Sequence, residues 1–250
     1  MNRKKHLAPQ FKRIILIGTG GTGSYLAQGL AKLISGYKLP LEVILVDPDT
    51  IEEKNCSRQN FPYCEIGLPK SQALAYRLNQ QYGLAFASVV GKGEDFIKNP
   101  EYSSALHSPR LIITCVDSVE ARKPYKGCGS WLDLGNGLET GQAIYGNSEY
   151  PTKLAAELEN WAFTPYVGYL PSPYFVAGMA KLKSPKKKRP GCADTPFAEQ
   201  GIFANEWAAQ AGLAILHQLL IKGVLSNPAI YFDTRGRMSP EYITREYLAH

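Results

Sequence analysis

Four glycines follow an apolar run near the start of the chain. Residues 13–17 read Arg-Ile-Ile-Leu-Ile and lead into Gly18, Gly20, Gly21 and Gly23. Backbone N–H groups can approach phosphate oxygens closely at such a turn, because glycine lacks a Cβ and the N-terminus of a following helix is electropositive. The pattern predicts a phosphate-binding turn between a buried strand and a helix.

Polar residues suited to a nucleotide follow along the chain. They are Asp47, Asp49, Asn55, Arg58, Gln59, Lys70 and Asp117. Asp47 ends a second apolar run, at the distance where a dinucleotide-type fold places a carboxylate on the ribose hydroxyls. Two cations would neutralise phosphates, and Asp117 could hold the magnesium ion of a nucleoside triphosphate. A nicotinamide dehydrogenase would use the same turn and Asp47, but it gives Arg58, Lys70 and Asp117 no joint role.

These residues need a parallel sheet, because the carboxyl ends of parallel strands meet at one edge, where ligands bind. Apolar runs predict strands over 13–17, 41–46, 87–90, 110–116, 131–134 and 141–145, with a further strand and turn from 229. Helical spacing predicts helices over 24–35, 69–80, 118–125 and 199–222. The expected fold is α/β, a Rossmann-like doubly wound sheet that is mainly parallel, with antiparallel strands added after about residue 129. We expect one domain over 1–250, with an irregular, proline-rich insertion at about 147–198.

Composition excludes several classes of protein. The chain has 250 residues, of which 44% are hydrophobic and 20% charged, and no apolar run approaches the ~20 residues that cross a bilayer. We therefore expect a cytoplasmic protein. The net charge of +6 comes with basic stretches at 3–13 and 181–189, but no nucleic-acid motif accompanies them. The five cysteines form no Cys-x-x-Cys pair, so the sequence predicts neither a disulfide framework nor a structural zinc site.

Four short motifs occur in a specific order. They are Asp47-Pro-Asp49, Asn55-Cys-Ser-Arg58-Gln59, Gly67-Leu-Pro-Lys70 and Asp117-Ser-Val-Glu-Ala-Arg122. In this order they resemble the signature of the ThiF/MoeB/HesA superfamily, the adenylating enzymes related to ubiquitin-activating enzymes. The resemblance covers about 11–146 and returns at about 199–220. The Arg-Pro-Gly-Cys192-Ala stretch and the compact length look most like the ThiF-family members of PRTRC gene clusters.

The resemblance implies a role for each motif residue. Gly18, Gly20, Gly21 and Gly23 would form the nucleotide loop, Asp47 would bind the ribose, Asn55, Arg58 and Lys70 the phosphates, and Asp117 a magnesium ion, with Asp49 and Gln59 completing the site. The implied reaction is attack by the C-terminal carboxylate of a ubiquitin-like or sulfur-carrier protein on the α-phosphate of ATP. It yields an acyl-adenylate and pyrophosphate, and the enzyme would act as a homodimer or heterodimer.

Other interpretations stay open at this stage. The chain could be a nicotinamide- or flavin-dependent oxidoreductase, or a catalytically silent subunit that binds a nucleotide and a protein partner. Cys192 follows four consecutive basic residues, which would favour a thiolate and a thioester role, although adenylation itself needs no thiol. Arg122 is interpreted as structural, paired with a carboxylate across the site.

Overall fold

The structure is a computed structural model that describes residues 3–99, 109–137, 139–179 and 203–250. Numbered along the described residues, the strands are β1 Lys5–Leu7, β2 Arg13–Ile17, β3 Glu42–Asp47, β4 Ala87–Val90, β5 Arg110–Thr114, β6 Trp131–Asn136, β7 Thr140–Gly146, β8 Tyr166–Val167, β9 Val224–Leu225, β10 Ala229–Asp233 and β11 Met238–Glu241. The helices are α1 Gly21–Tyr37, α2 Glu53–Cys56, α3 Lys70–Tyr82, α4 Gly93–Lys98, α5 Val119–Arg122, α6 Pro151–Glu159, α7 Pro173–Val176, α8 Ala204–His217 and α9 Arg245–Leu248.

Eight strands form one sheet in the order β11-β10-β7-β6-β5-β2-β3-β4. Five neighbouring strands of this sheet, β4, β3, β2, β5 and β6, are parallel. Strands β7, β10 and β11 extend the sheet in antiparallel fashion. This confirms the Rossmann-like α/β prediction. Strand β6 is still parallel to β5, so the antiparallel part begins with β7.

The central strands are apolar along their length because helices cover both faces of the sheet. Leu16 on β2, Leu45 on β3 and Ile113 on β5 are fully buried in the larger core cluster. Helices α1 and α8 lie side by side against this cluster. Their approach depends on Gly29 in α1, where a Cβ would come 2.2 Å from a methyl carbon of Leu213 in α8.

Several predicted elements differ from the structure at their ends. Ser118 does cap a helix, its Oγ accepting from the Ala121 N–H at 3.2 Å, but the α-helix ends at Arg122 and continues as a 3-10 turn to Tyr125. The glycine-rich stretch was expected to end a strand at 134, yet Gly135 and Asn136 remain in β6. The irregular segment was expected to contain loops and short helices, and its described part contains the short helices α6 and α7.

A second sheet, in the order β8-β1-β9, was not predicted from the sequence. His6, at the centre of β1, is 1% exposed, and its Nδ1 lies 3.0 Å from the carbonyl oxygen of Val167. Burial lowers the pKa of His6 to about 4. Within the described residues, no helix is long and apolar enough to span a membrane.

Candidate nucleotide-binding site

The glycine turn connects β2 to α1 in a geometry that larger residues would disrupt. Gly18 has φ of +85°, and a Cβ there would lie 2.8 Å from the carbonyl oxygen of Cys115. A Cβ on Gly23 would come within 1.8 Å of the Gly18 carbonyl oxygen. Gly20 precedes the helix, and no described side chain caps it, so the first N–H groups of α1 remain for an anion.

Asp47, at the end of β3, is held by two backbone donors. Its Oδ2 accepts from the Thr19 N–H at 2.6 Å, and its Oδ1 accepts from the Asp49 N–H at 2.9 Å. The side chain is 4% exposed. Burial raises the pKa of Asp47, while the two N–H groups and the charge of Lys70 act in the opposite direction. The carboxylate is therefore fixed beside the glycine turn, with further lone pairs for ligand hydroxyls.

Lys70 begins α3 and is 3% exposed. Its Nζ lies 3.1 Å from Oδ2 of Asp49, whose side chain is largely exposed. A cation at the N-terminus of a helix opposes the helix dipole, and burying it costs free energy unless it is well paired. Asp49 is largely exposed and the buried Asp47 also interacts with this charge, and Lys70 faces the cavity, where its ammonium can meet a phosphate.

The connector between β3 and α3 contributes residues of two kinds. Gln59 is buried and lines the cavity, and its Oε1 has no hydrogen-bond partner among the described residues. Asn55 instead accepts the Glu52 N–H on its Oδ1 at 2.8 Å and so caps α2. Arg58 is buried as well. Neither Asn55 nor Arg58 is among the residues that line the cavity.

A cavity of about 640 Å³ opens at the carboxyl edge of the parallel strands. Gly18, Gly20 and Gly21 line it from the turn, and Asp47, Asp49, Gln59, Lys70 and Asp117 line it from the loops. This volume is in the range of small-molecule sites. Eight of the predicted residues thus meet at one cavity, whereas Gly23 supports the turn from behind. Cys192 lies outside the described residues.

Part of this cavity wall was not predicted from the sequence. Lys92 and Glu94, which follow β4, line the cavity, as does Tyr125. A signal was present: β4 was predicted correctly, and its carboxyl end had to reach the same edge as β2 and β3. Lys92 could have been found by applying the strand-end argument to every parallel strand.

Asn205 in the first turn of α8 was also missed. It is 6% exposed, and its Oδ1 accepts from Thr22 Oγ1 at 3.3 Å and from Asn136 Nδ2 at 3.2 Å. Its Nδ2 donates to the Arg58 carbonyl oxygen at 3.3 Å. One amide thereby joins the glycine turn, the end of β6 and the connector.

Arg122 is structural, as interpreted from the sequence. Its Nε donates to Asp133 Oδ1 at 2.9 Å and to Oδ2 at 3.1 Å, and Asp133 is fully buried in β6. Thr114 Oγ1 donates to the same Oδ1 at 2.6 Å. The pair fixes α5, which follows Asp117, onto the sheet.

The described residues contain no group of three or more His, Cys, Asp or Glu side chains that could hold a metal ion. Asp117 is an exposed carboxylate at the cavity wall. Mg²⁺ is commonly held by one or two carboxylates together with substrate phosphates, and it retains several waters. The donor set fits magnesium that arrives with a nucleotide.

Known proteins match the chain in sequence and in fold. The NEDD8-activating enzyme E1 catalytic subunit of Arabidopsis thaliana is 36% identical over 123 residues, covering 48% of this chain and 25% of that protein. The adenylyltransferase and sulfurtransferase UBA4 of Yarrowia lipolytica is 38% identical over 64 residues, covering 26% of this chain and 15% of that protein. The chain thus spans a quarter or less of the length of these two relatives.

Solved structures share the fold across most of the described chain. E. coli MccB, in a crystal structure with ATP, superposes with a TM-score of 0.57 at 13% identity, covering 94% of this chain and 64% of MccB. The crystal structure of PaaA gives a TM-score of 0.60 at 14% identity, covering 93% of this chain and 73% of PaaA. At these identities the likeness concerns the fold alone.

The family model of the ThiF family matches residues 5–126, from β1 to the 3-10 turn after α5. This match contains the glycine turn and all the motifs whose order resembled the superfamily, and the fold agrees with it. The chain is thus similar to the ThiF family over residues 5–126, just under half of its length.

Proposed function

We propose that this protein is an adenylyltransferase that activates the C-terminal carboxylate of a ubiquitin-like or sulfur-carrier protein with Mg-ATP. The observation that carries the proposal is Lys70, a buried cation at a helix N-terminus whose paired carboxylate, Asp49, is largely exposed. It lines the same cavity as the glycine turn, where the N–H groups of α1 can also meet negative charge. Two positive features in one cavity suit a polyphosphate.

Asp47 is suited to bind the ribose of the nucleotide. Because two N–H groups hold its oxygens, the carboxylate needs no reorganisation to accept hydrogen bonds from ribose hydroxyls. The phosphates would extend from there along the glycine turn toward Lys70, and Gln59 would contact them or the ribose. Asn55 and Arg58 would contact the phosphates from the connector, and Asn55 also caps α2 there.

When bound with ATP, magnesium would supply charge neutralisation at the phosphates, and Asp117, with its exposed carboxylate, would hold it. The attacking carboxylate oxygen forms a bond to the α-phosphorus, and the bond from that phosphorus to the bridging oxygen breaks. That oxygen leaves as part of pyrophosphate, and the acyl-adenylate remains. Lys70 would stabilise the negative charge that accumulates on the phosphates. The site would further lower the barrier by holding the carboxylate in line with the α-phosphate.

The names of two relatives support a protein substrate. One is a NEDD8-activating subunit, and another is an adenylyltransferase and sulfurtransferase. We further propose that residues 1–250 form a single adenylating domain that acts as a dimer in the cytoplasm. Membership of the PRTRC subgroup remains a prediction, because it rests on the stretch around Cys192.

Nucleotide binding and pyrophosphate exchange test the proposal. Isothermal titration should give tighter binding of Mg-ATP than of NAD, and ATP–pyrophosphate exchange should require a small carrier protein with a C-terminal glycine, sought first among the neighbouring genes. Preferential binding of NAD, or a bound flavin chromophore, would contradict it in favour of an oxidoreductase. Mg-ATP binding without exchange with any such carrier would favour a silent scaffold.

Two carboxylate variants separate the roles within the site. Asp117→Ala should abolish exchange, because phosphate charge stays uncompensated as pyrophosphate leaves, whereas Asp47→Ala should mainly weaken nucleotide affinity. Asp95→Ala is the matched control, since this exposed carboxylate on α4 is not part of the cavity wall. Normal exchange in the Asp117 variant would refute the magnesium assignment.

A further inference from the structure

Gly21 and Asn205 are in close contact, although 183 residues lie between them in the chain. A Cβ on Gly21 would lie 2.6 Å from both Nδ2 and Oδ1 of Asn205 and 2.7 Å from its Cγ. Real Cβ atoms do not approach other heavy atoms this closely. The carboxamide of Asn205 therefore packs where the side chain of residue 21 would otherwise be.

The same carboxamide has its hydrogen-bonding atoms engaged on three sides. Oδ1 accepts from Asn136 Nδ2, and the one hydroxyl hydrogen of Thr22 is shared between Asn205 Oδ1 at 3.3 Å and Asn136 Oδ1 at 3.1 Å. Nδ2 donates to the main-chain oxygen of Arg58. Buried networks with every member paired hold their elements in one arrangement.

We propose that Asn205 is a positioning residue for the nucleotide site, and that residue 21 is glycine chiefly to admit its carboxamide. Asn205 sets the glycine turn at a fixed distance from the connector, because it contacts one through Thr22 and Gly21 and the other through Arg58. The connector carries Gln59 to the cavity wall. Asn205 thereby fixes the positions of the glycine turn and the connector at the cavity, although it does not itself line the cavity. The nucleotide arm of this inference rests on the proposed function, while its packing arm does not.

The packing arm is a double-mutant cycle on stability. Gly21 opens α1 and has no positive φ, so alanine fits its backbone. In the native background, Gly21→Ala should raise the unfolding equilibrium constant about fivefold or more, because overpacking costs about 1 kcal/mol or more and each 1.4 kcal/mol is tenfold. In the Asn205→Ala background the same change should raise it less than about twofold. Equal costs in the two backgrounds would overturn the packing claim.

The positioning arm measures the connector in the protein without nucleotide. The N–H groups of Arg58 and Gln59 both donate to the Asn55 carbonyl oxygen, at 3.0 and 2.8 Å, so their hydrogen exchange reports local order. Asn205→Ala should accelerate this exchange, and so should Asn205→Asp, which keeps the acceptors but removes the donor to the Arg58 carbonyl. Unchanged exchange at these amides would overturn the positioning role even if stability fell.

The nucleotide arm compares Asn205→Ala with Asn79→Ala, which removes a similar amide at the far end of α3. Asn79 bonds the Phe86 N–H at 2.6 Å and its carbonyl at 3.0 Å, away from the cavity. Asn205→Ala should weaken Mg-ATP binding about tenfold, which corresponds to the loss of one buried hydrogen bond. Asn79→Ala should leave Mg-ATP binding unchanged. Equal affinities in both variants would refute the link to the site. If the native protein itself does not bind Mg-ATP, the proposed function fails, and the cycle and the exchange experiment still decide the role of Asn205.

Discussion

Acidification should destabilise this protein through the buried imidazole of His6. A carbonyl oxygen only accepts hydrogen bonds, so the Nδ1 facing Val167 carries the proton in the neutral ring. A second proton would have to bind Nε2, which is buried and has no hydrogen-bond partner among the described residues. Charge at this nitrogen would be neither hydrated nor paired, and burial accordingly lowers the pKa of His6 from 6.5 to about 4.

The sign of the effect follows from proton linkage. Between pH 6.5 and about 4 the unfolded chain binds this proton more readily than the fold, so stability is full above pH 6.5 and falls as the pH drops through this interval. Below about pH 4, no further loss comes from this group. Because one pKa unit corresponds to 1.36 kcal/mol, acidification from about pH 7.5 to about pH 4.5 should lower the free energy of unfolding by about 2.5 kcal/mol through His6 alone.

Urea titrations at several pH values in this range, on the native protein and on His6→Gln, measure the effect. Glutamine does not titrate and can still donate to the Val167 carbonyl. Contributions from carboxylates cancel in the comparison, so the native protein should lose about 2.5 kcal/mol more than the variant does. Parallel pH dependences in the two proteins would refute the assignment of a buried neutral His6.

Three further predictions concern the ion pair, the cysteine and the assembly. Arg122→Met leaves Asp133 buried without its cation and should lower the free energy of unfolding by about 3–5 kcal/mol in urea titrations; a loss under about 1 kcal/mol would contradict the pairing argument. Cys192→Ser should retain pyrophosphate exchange, because adenylate formation uses no thiol, and loss of exchange would show that the thiol takes part in this step. Light scattering at micromolar concentration should give a dimer, and a fully active monomer would count against this prediction.

Elements whose signal is local were predictable from the sequence. Strands β2 and β5 are buried on both faces, so almost every residue in them has to be apolar. The resulting apolar runs are visible in the sequence and predicted both strands. The glycine turn, Asp47 and Lys70 were found because strand ends and helix starts mark their places in a parallel sheet. Their common cavity follows from the topology.

Features that depend on contacts between distant parts of the chain were not predictable. Asn205 is an ordinary amide in a helical segment, and only the packing of α8 against the sheet brings it to Gly21. Strand β1 has three residues, of which one is buried. This is too short for an alternation of buried and exposed residues to be recognised in the sequence. The hydrogen bond by which Asn55 Oδ1 caps α2 was likewise not foreseen, while the assignment of Asn55 to phosphate stays a prediction.

Because α1 packs closely against α8, the segment that can fold alone is longer than the segment that the family model matches. The family match ends at residue 126, but a chain cut there would lose α8 and strands β6 and β7. The face of α1 that carries Leu26 and Gly29 would face water instead of α8, and β5 would become an open edge that can pair with other chains. Residues 5–126 are thus the segment that the family model matches, but they are not a unit that folds alone. Expressed alone, that segment should aggregate, and only co-expression of the remaining residues as a separate polypeptide should keep it in solution.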